Sequence, residues 1–219
     1  MLEGWQVTSV LTLEGGEPYT LSDIGNDTST TGEFNDRWDM TGSPANIHWS
    51  AVNSIPYIDP SQFNTDSNGN VTTGMNSAAQ RCVSQAFSFG GQDAANQLVG
   101  GPFGITGGCF VSGSTIITPP AQGTQGNMGR NVFRGPSFRN WDASVSKIWQ
   151  FNERFKLQLR GEFFNLVNHT NFDVFTLNTD LSSPLNLGLA RFTPDVAASN
   201  PVIGSGGSRH IQVGAKLIW

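Results

Sequence analysis

The groups that could do chemistry in this 219-residue sequence are three histidines, two cysteines and 17 carboxylates. His48, His169 and His210 stand far apart, and no H-E-x-x-H, P-loop or G-x-S-x-G pattern brings a nucleophile, base or phosphate cradle together. No catalytic, cofactor-binding or metal-binding residue is therefore assigned, and the chain reads as a non-enzyme that needs no cofactor. Asp66-Ser67-Asn68-Gly69-Asn70 has oxygen ligands at alternate positions, as calcium loops do. Its glycine falls too early and no bidentate Glu follows, so a turn is the better reading. Asp23, Asp27, Glu33, Asp36 and Asp39 could gather a divalent cation or a basic ligand, against the plainer expectation of a solvated acidic loop. Cys82 and Cys109 lack metal-ligand spacing; one loop disulfide and two free thiols both remain open. Arg130, Arg134 and Arg139 are expected to meet carboxylates or lipid phosphates.

Composition narrows the field further. Charged residues make up 13%, and 26 glycines with 11 prolines give a chain that is loop-rich and polar without being charged. The net charge of −5 argues against a phosphate-neutralising surface, so nucleic acid is not an expected partner. Dividing at Gly129 leaves 11 acids and 2 bases before it, 6 acids and 10 bases after it, so the two parts are expected to do different jobs. No run of 18 apolar residues makes a transmembrane helix. The first residues have no basic segment followed by an apolar one, so a targeting signal, if the protein is exported, is expected outside this sequence.

Four segments alternate with period two, and these must position whatever the chain presents. In 155–166, Phe155, Leu157, Leu159, Gly161 and Phe163 share one face, while Lys156, Gln158, Arg160, Glu162 and Phe164 share the other. In 209–219, Ile211, Val213, Ala215, Leu217 and Trp219 oppose His210, Gln212, Gly214, Lys216 and Ile218. Segments 2–13 and 141–151 alternate less cleanly, with Lys147 a misfit among Trp141, Ala143, Val145, Trp149 and Phe151. Asn152-Glu153-Arg154 makes a tight hairpin, whereas 15–140 and 167–208 are very long connections rich in Gly, Ser, Asn and Pro. Short strands are expected inside them near 47–58 and 114–118, and 94–129 reads as loop.

Strands of about 11 residues, short turns at one end and long loops at the other fit a transmembrane β-barrel, whose tilted strands need roughly 9–11 residues to cross the hydrocarbon. A soluble antiparallel sandwich alternates in the same way. Loop asymmetry and the terminal Trp219 favour the barrel.

Asn140-Trp141-Asp142-Ala143-Ser144-Val145-Ser146-Lys147, Arg160-Gly161-Glu162-Phe163-Phe164-Asn165-Leu166-Val167-Asn168-His169-Thr170-Asn171-Phe172 and the final Ser208–Trp219 stretch together resemble the closing region of Oar-like TonB-dependent outer-membrane receptors. Gly4-Trp5-Gln6-Val7, Gly16-Glu17-Pro18-Tyr19-Thr20, Asn35-Asp36-Arg37 and Gly126-Asn127-Met128-Gly129-Arg130-Asn131 are similar to its upstream landmarks. The resemblance implies an all-β, antiparallel barrel segment, the last strands of a 22-stranded barrel, with extracellular loops over 15–140 and 167–208. It implies a bacterial outer-membrane location and a parent that imports a nutrient by TonB-coupled transport. The chain would be a C-terminal fragment or truncated frame, without signal, plug or TonB box, and not competent for transport alone. Expected partners are outer-membrane lipid, the missing strands and plug, the barrel-assembly machinery through Trp219, and TonB only through the missing part. Phe155, Leu157, Leu159, Phe163, Ile211, Val213, Ala215 and Leu217 would face lipid; Lys156, Gln158, Arg160, Glu162 and Lys216 would face the lumen. The alternative is a secreted or cell-surface β-rich module that binds carbohydrate through Trp38, Trp49 and Tyr57.

Overall fold

A computed structural model describes residues 3–101, 106–197 and 206–219. Leu2, where the first strand was expected to start, and residues 198–205 of the expected 167–208 loop lie outside the described residues. In chain order the elements are β1 (Trp5–Glu14), β2 (Pro18–Tyr19), β3 (Asp39–Thr41), β4 (Tyr57–Ile58), β5 (Phe63–Thr65), β6 (Val71–Gly74) and α1 (Ser77–Gln97). They continue with β7 (Cys109–Ser112), β8 (Thr115–Thr118), β9 (Phe133–Arg134), β10 (Phe138–Gln150), β11 (Lys156–Phe164), α2 (Pro194–Ala197) and β12 (His210–Ile218). Two compact units result: one holds β1, β10, β11 and β12, the other is built from Glu17–Gly135 and Leu177–Ala190.

The first unit is an antiparallel sheet in the order β1-β10-β11-β12. Its strands form where period-two alternation is strongest, because a pleated strand sends successive side chains to opposite faces. Among the described residues, β1 pairs only with β10 and β12 only with β11, so the sheet is open. The structure gives no support to a count of 22 strands, since four are joined here. β10 starts at Phe138, three residues before the expected 141, because Arg139 and Asn140 find partners in Leu13 and Thr12 of β1. The β10–β11 connection closes as an Asn-capped turn. The Asn152 side-chain oxygen accepts from the backbone N–H of Arg154 at 3.0 Å and of Phe155 at 2.7 Å, and the Phe151 N–H donates to the Phe155 carbonyl at 3.0 Å. At the same end of the sheet, Gly4 takes φ +83°, and a Cβ there would lie 2.5 Å from the Ile148 carbonyl oxygen. Only glycine fits that approach.

The second unit differs from the long loop that composition suggested. It has its own small sheets, β3-β8-β7-β4 and β5-β6, and a helix. The Asn76 side chain caps α1 by accepting from the Ala79 N–H at 2.9 Å, and Ala79, Cys82, Val83 and Ala86 bury one stripe at helical spacing. Gly90 and Gly91, the latter at φ +62°, break the helix so that Ala94, Ala95 and Leu98 return to the same core. The 94–129 stretch, expected to be loop apart from a short strand near 114–118, supplies the end of α1 and a hairpin in which β8 is that expected strand and β7 its unforeseen partner. Small residues hid the helix: the stripe is mostly alanine, and its apolar contrast with the neighbouring Ser and Gln residues is low.

Candidate membrane interface

Register decides which side chains share a face. Leu157 lies opposite Trp149 and Leu217; Leu159 opposite Lys147 and Ala215; Gly161 opposite Val145 and Val213; Phe163 opposite Ala143 and Ile211. Trp5, Val7 and Leu11 of β1 join them through Lys147, Val145 and Trp141. One continuous apolar face runs across the four strands. It is left uncovered: Val213 is 79% exposed and Leu159 40% exposed, with Val7, Leu11, Ile211 and Leu217 also exposed. Within the described residues these positions therefore do not form the interior of a closed sandwich, where they would be buried. Phe155 stands in the turn just before β11, and Trp219, exposed, follows the last residue of β12.

Lys147 was the misfit on this face. Its strand carries no bulge there. Instead the side chain is 9% exposed, its ammonium 5.2 Å from the Trp5 ring centre and 5.9 Å from that of Trp149, and it donates to the Glu3 carbonyl. Trp5 is its cross-strand neighbour and Trp149 lies two residues along, so the two rings flank the ammonium as it reaches toward the sheet's turn end.

The opposite face carries the polar set. Lys156, Gln158, Arg160 and Glu162 of β11 pair with Ile218, Lys216, Gly214 and Gln212 of β12 on that face. Arg160 and Glu162, two residues apart on one strand, form an ion pair at 2.6 Å. Gly214 leaves open space beside it, so the pair stands over a gap in the side-chain layer.

At the loop end, asparagines hold the chain where β11 leaves the sheet, a role that alternation alone did not signal. The Asp142 carboxylate accepts from the Asn165 N–H at 2.9 Å and from the Asn140 amide at 3.0 Å. The buried Asn165 amide donates to the His169 and Gly207 carbonyls, both at 2.7 Å, and its oxygen accepts from the His169 N–H. Asn171, also buried, accepts from the Arg139 N–H at 2.7 Å and donates to the Arg139 carbonyl at 3.0 Å. The Asn-rich repetition in 165–171 was the available sign, since Asn tolerates the left-handed backbone (Asn165 φ +52°, Asn168 φ +55°) while bonding to main chain.

The loop unit uses its acids internally. Asp23, Asp36 and Asp39 are buried, which corrects the expectation of a solvated acidic loop for these three. The Asp36 carboxylate accepts from the Ser29 N–H at 2.8 Å, Asp39 from the Asn127 N–H at 2.9 Å, and Asp27 from the N–H groups of Thr31 and Gly32 at 2.9 and 2.8 Å. Burial raises Asp23 and Asp39 above the ordinary carboxylate range, against the pull of hydrogen bonds from Thr28 and Asn26 to Asp23 and from the Asn127 N–H to Asp39. Among the described residues no group of three or more His, Cys, Asp or Glu side chains could hold a metal ion. Asp66 closes the β5–β6 turn by accepting from the N–H groups of Asn68 and Asn70, which depresses its pKa.

Cys82 and Cys109 are joined in a disulfide that staples α1 to β7, and both are buried. Such a bond belongs to an oxidising compartment. Trp38 is fully buried against Phe110, and the Tyr57 hydroxyl donates to the Gly107 carbonyl at 2.8 Å. Trp38 has no face open to stack on a sugar, so the carbohydrate site expected from Trp38, Trp49 and Tyr57 loses one of its three members, while Tyr57 is half-buried against Phe110. Arg130, Arg134 and Arg139 form no ion pair among the described residues; the one pair there is Arg160–Glu162.

A family model described as an outer membrane beta barrel domain matches residues 1–212. No curated protein matches the chain, and no solved structure does.

Proposed function

Because this chain belongs to the outer membrane β-barrel domain family, and so to the bacterial outer membrane, we propose that it forms four adjacent staves and the outer loops of an Oar-like TonB-dependent receptor. The observation that carries this reading is the uncovered apolar face shared by all four strands, backed by a polar face with its own ion pair. In a bilayer such a sheet sets its apolar side against acyl chains and its polar side toward a solvated lumen. Phe155, Leu157, Leu159, Phe163, Ile211, Val213, Ala215 and Leu217 then meet lipid. Lys156, Gln158, Arg160, Glu162 and Lys216 face the lumen.

Four strands cannot close a barrel, since about eight is the smallest size, and an open edge in lipid leaves backbone groups unsatisfied at several kcal/mol each. The reading therefore takes the remaining strands, about 18 if the parent is 22-stranded as its relatives would be, together with a plug, from elsewhere in the parent receptor. The ordered Asn-Trp-Asp, Phe-Phe-Asn and terminal-Trp motifs support a TonB-coupled importer over a passive pore. Trp219 serves as the assembly signal. The chain's own part is structural and ligand-contacting, with no covalent chemistry.

Topology supplies the test. With the β10–β11 turn in the periplasm and the loop unit outside, a membrane-impermeant maleimide labels Ser67→Cys on intact cells, but Glu153→Cys only after the outer membrane is permeabilised. Labelling of both on intact cells, or recovery of the intact protein in the soluble fraction, removes the assignment. Capture of the intact protein by the periplasmic domain of TonB tests the coupling separately.

A further inference from the structure

The apolar face is not uniform. Near its turn end lies a groove of about 460 Å³ lined by Trp5, Lys147, Trp149, Leu159, Gly161 and Phe163. It exists because β11 places Gly161 between Val145 and Val213, with the small Ala215 one pair further along. The Phe163 ring leans to 3.7 Å from where a Gly161 Cβ would stand, so any side chain at 161 would begin to fill the space. The volume falls in the roughly 300–1,000 Å³ range of small-molecule sites.

Lys147 is the one ionisable residue on this face of the four spans, counting Trp5–Leu13, Trp141–Phe151, Phe155–Phe163 and Ile211–Trp219 at every second position. Its ammonium gives one proton to the Glu3 carbonyl and lies over two indole rings, which leaves two of its three donors for another acceptor. Lys147 lies three residues from the end of β10, about 10 Å along the strand, and its partner Trp5 opens β1. The strand position is level with Leu159, but the side chain reaches toward the turn end, to the Glu3 carbonyl two residues beyond Trp5, so it is the ammonium that approaches the headgroup boundary, where tryptophan also gathers.

We propose that this groove binds an anionic phospholipid of the periplasmic leaflet, its phosphate on the Lys147 ammonium between Trp5 and Trp149 and an acyl chain over Gly161. Charge complementarity selects the occupant: Lys147 and Arg160 line the groove and no carboxylate does, and because Arg160 is ion-paired with Glu162, Lys147 is the cation left for a headgroup, so one with net negative charge suits the groove better than a zwitterionic one. The proposal rests on the outer-membrane reading above, which sets the apolar face in lipid with its turn end toward the periplasm.

The test uses the intact protein extracted from outer membranes in mild detergent, delipidated, supplied with phosphatidylglycerol or phosphatidylcholine and examined by native mass spectrometry. The expected result is about fivefold better retention of phosphatidylglycerol. Lys147→Gln should remove that preference and Lys147→Arg should keep it, while Gly161→Leu should lower retention of both lipids. Equal retention of the two lipids by the unaltered protein, or an unchanged preference in Lys147→Gln, overturns the site while leaving the membrane reading intact. Recovery of the protein as a soluble species that holds neither lipid overturns both.

Discussion

Introducing one arginine on each face of β11 separates lipid exposure from every other cost. Leu159 is the fourth of nine residues in the strand, close to its middle, and its side chain lies on the apolar face; Gln158 is its neighbour on the polar face. The two positions are matched in an unusual way. Leu159→Arg sets a cation across from Lys147, and Gln158→Arg sets one across from Lys216, so the like-charge repulsion of roughly 0.2–1 kcal/mol is similar in both. What differs is the medium. An arginine facing lipid at the midplane costs about 2–4 kcal/mol, whereas one facing a hydrated lumen does not. The ratio of folded to unfolded protein should therefore be about 30-fold to several hundred-fold lower for the Leu159 variant than for the Gln158 variant. The assay is refolding of the urea-denatured intact protein into phosphatidylcholine vesicles, with folding read from heat-modifiable mobility in gels. A soluble protein would treat both as surface changes within about 0.5 kcal/mol, because Leu159 is exposed in the chain itself. Equal folding of the two variants would therefore refute the lipid assignment.

Other outcomes follow from the same contacts. Cys82→Ser with Cys109→Ser opens a link across a sequence separation of 27 residues, worth about 3.5 kcal/mol in the chain-entropy account, and should make the loop unit markedly more sensitive to protease on intact cells. Asn165→Ala removes three hydrogen bonds from a buried side chain and should lower stability by about 1–3 kcal/mol, seen as a lower urea midpoint and faster cleavage near His169. Asp39 is held above its ordinary pKa, so its protonated form is favoured by folding, and this contribution is full below the ordinary value and lost as pH rises through the raised one. Asp39→Asn keeps an acceptor for the Asn127 N–H, so it should match or exceed the parent's thermal stability at pH 7, with the advantage vanishing on acidification below the ordinary carboxylate range.

The sheet was legible in the sequence because its chemistry is periodic. Leu157, Leu159 and Phe163 alternate with Gln158, Arg160 and Glu162, and nothing but a strand puts each set on one side. Lys147 broke the pattern in one dimension only. Its resolution needed Trp5, 142 residues away, to become a cross-strand neighbour, which no window along the chain reveals. The loop unit was opaque for the opposite reason. Its large apolar residues, such as Trp38, Phe110 and Ile117, are scattered without a period, and the alanines, disulfide and inward-turned carboxylates between them each resemble ordinary loop composition when read singly. The cystine in particular was undecidable, since two cysteines 27 residues apart fit a bond and free thiols equally well.

That cystine fixes a sequence of events for the living cell. Cys82 and Cys109 are sealed inside, so thiol oxidation must be finished before this segment compacts, and the cytoplasm is too reducing to do it. The window is transit through the periplasm, while the polypeptide is still unfolded and within reach of the dithiol oxidases there. Cells lacking those oxidases should therefore export a protein whose loop unit is perishable while its four-stranded sheet is sound.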